Sequence, residues 1–138
     1  MVSPLQVHLI LCDAAQADSG KLHMLGAGWS ITRSPTAPHA VAAIIKVPWD
    51  RANQPMHLRL QMHDADGDLV GVPTPDGPVP VAADAQIEVG RPPGIAPGSM
   101  LDASFAFNFP SLPLPPGRYE WRLRIADQEF VESFTVRA

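Results

Sequence analysis

Cysteine is nearly absent from this sequence, because Cys12 is the only one among 138 residues. No intrachain disulfide can therefore stabilise the fold, and a metal site built from several cysteines is excluded. An excess of basic residues is also missing, since the formal net charge is −4, which disfavours binding to nucleic acid or anionic membranes. No apolar run approaches the roughly 18 residues of a membrane-spanning helix, and the first residues do not form a secretion signal. We expect a cytoplasmic protein that binds neither nucleic acid nor membrane.

What is present is a composition typical of a soluble globular domain. Hydrophobic residues make up 46% of the chain and charged residues 17%. A chain of 138 residues can bury a sizeable core but is short for two ordinary domains. The sequence therefore predicts a single domain over residues 1–138.

Short segments in which apolar and polar residues alternate recur along the chain, which is typical of strands with one buried face. Residues 56–63 assign their histidine and arginine side chains to the outer face, and residues 119–136 predict a final hairpin. Residues 40–47 are apolar almost throughout and predict a central strand covered on both faces. Residues 101–109 carry the apolar stripe that we expect to be the best core strand, and only residues 13–19 suggest a helical turn. The predicted fold class is all-β, a two-sheet antiparallel immunoglobulin-like sandwich of about seven or eight strands.

A proline-rich turn before Tyr119 is the most specific signal of this architecture. Pro115, Pro116 and Gly117 shape a rigid turn, and a buried tyrosine there would place its hydroxyl on an upstream backbone carbonyl, as in a tyrosine corner. Residues 113–118 also fit the pattern P-x-x-P-x-R of exposed polyproline ligands. We favour the structural turn, because the same residues lead into the strand of Tyr119.

The histidines and the acidic residues 64–68 raise the question of a metal site. His57 and His63 share a strand face, but six residues of strand separate them by roughly 20 Å, which is too far for one zinc ion. Residues 64–68 lack the glycine and glutamate that a calcium loop needs farther along, so they predict a solvated hairpin tip. His23 and His39 could meet only through the fold. We predict no metal and no cofactor.

Signals for catalysis are equally weak. Cys12 has no recognisable base and acid around it, and the chain contains no nucleophile elbow or phosphate-binding glycine loop, so Cys12 is expected to be a small buried hydrophobe. Loops at one end of the sandwich could still bind a small polar ligand. The residues that we assign to such a site are His39, Asp50, Arg51 and Arg91.

Five segments together resemble a family of small, uncharacterised bacterial proteins, largely actinobacterial, with immunoglobulin-like sandwich folds. The segments are residues 7–16, 26–30, 47–50, 88–94 and 112–121. The resemblance spans nearly the whole chain. It implies the fold, but it implies no activity and no catalytic residues.

The preferred hypothesis is a non-enzymatic protein-interaction or assembly module that binds a partner protein or another copy of itself. Its motivation is that the strands are well patterned while no reactive constellation is visible, and an open sheet edge offers a route to pairing. Two alternatives stay open: an enzyme or small-molecule-binding protein using the four loop residues, and a structural subunit of a larger assembly. Trp29 or Trp49 would be an interface anchor if exposed, and one of them could instead fill the inter-sheet position.

Overall fold

The computed structural model describes residues 3–138. Over this range the chain forms twelve β-strands and one 3₁₀ turn, and it contains no α-helix. The strands are β1 Gln6–Cys12, β2 Ala14–Asp18, β3 Lys21–Leu25, β4 Ile31–Arg33, β5 His39–Val47, β6 Met56–Asp64, β7 Gly71–Val72, β8 Val79–Pro80, β9 Ala82–Ile87, β10 Leu101–Phe109, β11 Gly117–Ile125 and β12 Gln128–Arg137, and the 3₁₀ turn is Trp49–Arg51. The all-β prediction is confirmed. The number of strands is larger than the predicted seven or eight, partly because β7 and β8 are two-residue strands with no visible alternation.

Two main sheets hold the core between them. The smaller has the strand order β1-β5-β10, and the larger has the order β4-β12-β11-β6-β9. Every pair in these sheets is antiparallel except β4 with β12, which is parallel. Ile45 of the smaller sheet and Leu58 and Trp121 of the larger sheet are all fully buried in one hydrophobic cluster. The two sheets thus share their apolar faces, which is the main stabilising contact of the fold.

The strand faces follow the alternation in the sequence. β5 is central and buried along most of its length, as predicted. In β6 the residues His57 and Arg59 are exposed, and in β11 the side chains of Tyr119, Trp121, Leu123 and Ile125 are buried.

The prediction for residues 101–109 was wrong in one respect. They form β10, but this strand lies at an edge of the smaller sheet, and Phe105, Phe107 and Phe109 are only half-buried against the core. An edge position leaves part of each ring uncovered, so the most deeply buried strands are β5, β6 and β11 instead.

Of residues 13–19, in which a helical turn was expected, Ala14–Asp18 form strand β2. β2 pairs with β3 as a hairpin, and Ala15, Leu22 and Met24 of this hairpin pack on Cys12, Ala40 and Ala42 at the outer face of the smaller sheet. Cys12 is fully buried, as expected, and its burial, with the charge of Asp13 adding to the effect, raises the pKa of its thiol.

The proline-rich segment before β11 is fixed to the rest of the fold. The Tyr119 hydroxyl donates a 2.7 Å hydrogen bond to the carbonyl oxygen of Pro115. Leu112 exchanges backbone and side-chain hydrogen bonds with Thr36 at 2.9 Å, and Leu114 is buried. Residues 113–118 therefore serve as a structural turn here. None of the described residues 3–138 forms a helix long and apolar enough to cross a membrane.

Candidate interaction site

One side of the molecule leaves the edges of both main sheets open. At its lower end, where β1 begins, this side is closed by Gln128. The Gln128 side-chain amide accepts from Leu5 N–H at 2.7 Å and donates to Leu5 O at 3.2 Å. The upper end of this side is closed by Gly28, whose N–H donates to Leu11 O at 2.8 Å. We call the stretch between these two closures the open seam; it comprises Val7 and Leu9 of β1 and residues 129–133 of β12.

The orientation of the β1 backbone follows from these closures. In an antiparallel ladder, alternate residues direct both N–H and C=O away from the paired strand. Leu5 and Leu11 direct theirs away from β5, and the register between β1 and β5 is continuous, so Val7 and Leu9 do the same. Among residues 3–138, none bonds to these outward groups of Val7 and Leu9. The β1 edge therefore offers two donors and two acceptors.

The β12 edge is open in a similar way. Thr135 N–H donates to Ser30 O at 2.9 Å, away from β11. By the same alternation Glu129, Val131 and Ser133 direct their backbone groups outward. The pairing of β4 with β12 begins only at Thr135, so within the described chain no strand covers this half of β12.

A groove of about 620 Å³ runs between the two open edges. Val7 and Leu9 contribute apolar surface from β1, and Phe130, Val131 and Glu132 line it from β12. Val131 is 45% exposed although it is apolar. Val131 projects from the outer face of β12, whereas Val7, Leu9 and Phe130 are half-buried. The seam thus combines unpaired backbone groups with partly covered apolar side chains, and unpaired groups of this kind mark an edge that can accept another strand.

The opposite edge of the smaller sheet, β10, borders a cleft. Leu11 lies opposite Val41 and directs its backbone groups away from it, so Val41 directs its own groups toward β10. Val41 therefore exchanges hydrogen bonds with Phe107, its partner on β10. Residues of β10 at the other parity, among them Ser104, direct their backbone groups outward. A cleft of about 730 Å³ lies here, walled by Ala17–Gly20 at the tip of the β2–β3 hairpin and by residues 86–92. The Asn108 amide also binds the backbone N–H and C=O of Ala15, at 3.3 and 2.8 Å. Among residues 3–138, none bonds to the outward backbone groups of Ser104, so this edge is also unpaired, but it faces the hairpin tip and residues 86–92 rather than a second open strand edge.

The four predicted loop residues do not form one site. His39 begins β5 and is only 2% exposed, with its ring 5.4 Å from that of Trp29 and 5.9 Å from that of Trp121. Burial lowers the pKa of His39, and a bond to the Ala37 carbonyl opposes this shift only in part. The other three predicted residues lie beyond the far end of β5, which spans nine residues, or about 26 Å at the usual rise.

Asp50, Arg51 and Arg91 lie around the 3₁₀ turn, and each already has a partner. Arg91 donates to Trp49 O at 2.6 Å and covers the Trp49 ring at 4.5 Å, and Arg51 lies 3.5 Å from a carboxylate oxygen of Asp127. Burial would raise the pKa of Asp50, but hydrogen bonds from Ser3, together with the Arg51 charge, lower it. These side chains fix loops, and three of the four predicted residues come together.

The histidines do not come together among residues 3–138, whereas three acidic side chains do. His57 lies 3.0 Å from Asp84 on the exposed face, and His23 is exposed on β3 while His39 is in the core. Over residues 3–138 the one compact group of potential ligands is Asp64, Asp66 and Asp68. One Asp64 oxygen already accepts from the backbone N–H groups of Asp66 and Asp68, at 2.9 and 3.0 Å. This is the hydrogen bonding of a tight turn, in line with the expected hairpin tip.

Neither tryptophan that the sequence left unassigned is a fully exposed anchor. Trp29 and Trp49 are half-buried and pack against the core, and the tryptophan fully buried between the sheets is Trp121. The inter-sheet position is therefore filled from β11.

The structure defines an all-β protein with two main sheets that share one open side. The chain belongs to a family of unknown function, DUF6941, whose model matches residues 7–137. Comparison with curated proteins gives no match. One solved structure that resembles the chain is a family 123 glycoside hydrolase from Clostridium perfringens, at 11% identity and a TM-score of 0.39 over 96% of this chain. The chain spans only 27% of that enzyme's chain, and a TM-score this low supports no argument about fold or activity.

Sequence reasoning missed the open seam. The hydrogen bonds that close the lower end of the seam join Gln128 and Leu5, which are 123 residues apart. The available signal was the alternation of β1, which indicates a strand but not that the strand lies at the edge of a sheet.

Proposed function

We propose that this protein is a non-enzymatic interaction module that accepts an extended segment of another protein as an additional strand at the open seam. The observation that carries the proposal is the pair of outward-facing residues, Val7 and Leu9, between two closed ends. An edge strand with unpaired donors and acceptors pairs readily with another chain, and native proteins normally blunt such edges. Both edges of the smaller sheet lack backbone partners within the described chain, and the β1 edge differs in lying beside the equally unpaired edge of β12, with an apolar groove between them.

The size of the seam fits a short, reversible contact. Val7 and Leu9 offer four backbone hydrogen bonds, each contributing about 0.5–1.5 kcal/mol. Main-chain bonds of this kind supply affinity, while the side chains that enter the groove supply specificity. We also expect a cytoplasmic location, since the free thiol of Cys12 is buried and the fold uses no disulfide.

We further propose that the fold is an immunoglobulin-like two-sheet sandwich with a tyrosine corner at Tyr119. Support comes from the two facing antiparallel sheets and from the bond of Tyr119 to a carbonyl four residues upstream. One departure is that the buried tryptophan, Trp121, lies on β11, two residues after the tyrosine. The seam would then lie between the first and last long strands of the sandwich.

Proline substitution at the β1 edge tests the interaction proposal. The N–H groups of Val7 and Leu9 point away from β5, so Val7→Pro and Leu9→Pro remove an edge donor without breaking the ladder to β5. Ser104→Pro is the matched control, because it removes an outward donor from the opposite edge of the same sheet, β10.

Proteins that co-purify with the tagged chain from its native cells are then compared by mass spectrometry. We expect a stoichiometric partner that the wild-type chain and the Ser104→Pro variant retain and that both β1 variants lose. A partner that the folded β1 variants retain equally well would refute strand addition at the seam, as would recovery of the wild-type chain alone.

A small-molecule site around Asp50, Arg51 and Arg91 is the less supported alternative. Their polar groups are already engaged with Ser3, Asp127 and Trp49, so a ligand would have to displace these contacts.

A structural subunit of a larger assembly would differ from the interaction module by concentration-dependent growth beyond a closed dimer.

A further inference from the structure

β1 and β12 run in the same direction along the open seam. Leu5 lies at Gln128 at the lower end. At the upper end, Gly28 N–H donates to Leu11 O and Ser30 O accepts from Thr135 N–H, and Gly28 and Ser30 are only two residues apart in the chain. Val7 is therefore level with Phe130, and Leu9 is level with Glu132.

Glu132 directs its side chain into the groove. Phe134 and Val136, on the same face of β12, are buried in the core, and side chains two residues apart share a face. Glu132 is half-buried and lines the groove beside Phe130. It has no hydrogen-bond or ion-pair partner among residues 3–138, whereas Glu129 at the rim lies 3.0 Å from Arg124.

A strand added to the seam would cover the Glu132 carboxylate. Burying a charge without a partner is costly, and the cost falls if the incoming strand brings an opposite charge. The adjacent surface of Val7 and Phe130 is apolar, so an apolar side chain of the partner would bury it favourably. His8 and Glu129 also line the groove, but Glu129 is paired with Arg124. The groove therefore has one carboxylate without a partner, that of Glu132, beside an apolar position.

We infer that the partner strand carries a lysine or arginine that pairs with Glu132 and, two residues later, an apolar side chain that packs on Phe130. The inference rests on the proposed strand addition. Val7 and Leu9 each present both a donor and an acceptor, and we assign the antiparallel direction because antiparallel pairs are the more stable per residue. The partner's side chains opposite Leu9 and Val7 then enter the groove. Because the partner runs antiparallel to β1, its residue opposite Leu9, beside Glu132, comes two positions before its residue opposite Val7, beside Phe130. The recognised pattern is basic-x-apolar in an extended segment.

A second copy of this chain fits the groove less well. Two β1 strands paired antiparallel about His8 would place a valine opposite Leu9 and a leucine opposite Val7. Both inward side chains would be apolar, so Glu132 would be covered without a cation. The charge of the groove thus favours a foreign basic segment over self-pairing.

The test uses the full chain labelled with ¹⁵N and two synthetic peptides, acetylated and amidated, followed by NMR titration to millimolar concentration. One peptide is Thr-Thr-Lys-Thr-Val-Thr-Thr, and in the other glutamate replaces the lysine. We expect the lysine peptide to shift the amide signals of Val7, Leu9 and Glu132 and to bind at least about threefold more tightly than its counterpart, as an exposed to half-buried ion pair allows. Glu132→Gln should abolish this preference, and Glu129→Gln, at a carboxylate that already has a partner, should keep it.

The outcomes separate this inference from the strand-addition proposal. Peptides that bind at the seam with equal affinity, or a preference that Glu132→Gln leaves intact, would overturn the basic-x-apolar pattern and leave strand addition standing. Binding that Val7→Pro and Leu9→Pro do not weaken would overturn both. A dimer seen by sedimentation that Leu9→Pro abolishes, without peptide binding, would assign the seam to a second copy and overturn the foreign partner.

Discussion

Replacing Gln128 by alanine should destabilise the fold and lengthen the open seam. Gln128 makes two hydrogen bonds to the backbone of Leu5, a residue only 3% exposed. Each bond contributes about 0.5–1.5 kcal/mol, and because water can reach part of this site we expect Gln128→Ala to lower the free energy of unfolding by about 1–2 kcal/mol. Gln54→Ala is the control, because Gln54 makes one exposed bond of 3.3 Å, and it should cost under about 0.5 kcal/mol.

Gln128→Glu separates the donor from the acceptor at the same site. At pH 7 the carboxylate still accepts from Leu5 N–H but opposes Leu5 O, so part of the loss remains. At pH 4 a protonated carboxyl group can donate again, and the difference from wild type should shrink for Gln128→Glu but not for Gln128→Ala. Urea denaturation at both pH values measures these differences. A Gln128→Ala variant within about 0.5 kcal/mol of wild type would refute the closing role of Gln128.

Three further predictions concern the rest of the fold. Tyr119→Phe removes the 2.7 Å bond to the upstream carbonyl and should cost about 1–2 kcal/mol in urea denaturation; an unchanged midpoint would remove the main argument for a tyrosine corner. Burial lowers the pKa of His39, so the unfolded chain binds a proton at this residue more readily than the folded chain does. The contribution of neutral His39 to the free energy of unfolding should therefore be fully present above about pH 6.5 and fall below it. A His39→Phe variant with the same pH profile as wild type would contradict this. Gly26→Ala forces a Cβ to 2.1 Å from an Asp13 oxygen at φ +61° and should lower the melting temperature more than Gly20→Ala, where the added Cβ meets nothing within 4 Å.

Alternation predicted those strands that have one face on the core and partners on both sides. Residues 56–63 and 119–125 lie in central strands of the larger sheet, so their inward side chains are buried along the whole length. The continuous apolar run of β5 indicated coverage on both faces, and the β2–β3 hairpin supplies the second cover. In these elements local pattern and tertiary burial agree.

Elements that depend on distant contacts could not be predicted in the same way. The segment Ala14–Asp18 has no alternation, and it becomes a strand because Lys21–Leu25 pairs with it and Asn108 binds it from β10. The stripe of β10 indicated a core strand, but its edge position leaves its rings half-exposed. Of the four loop candidates only His39 lies apart, because β5 separates it from Asp50 by its whole length. Whether a strand edge is open depends on which strand is missing beside it, and the sequence of β1 does not contain that information.

Amide hydrogen exchange followed by NMR tests the open seam most directly. The N–H groups of His8 and Ile10 point toward β5, whereas those of Val7 and Leu9 point outward. We predict that the Val7 and Leu9 amides exchange at least about a hundredfold faster than those of His8 and Ile10. Slow exchange at all four residues in dilute protein would mean that the β1 edge is already covered, and it would contradict the open seam on which the proposed function rests.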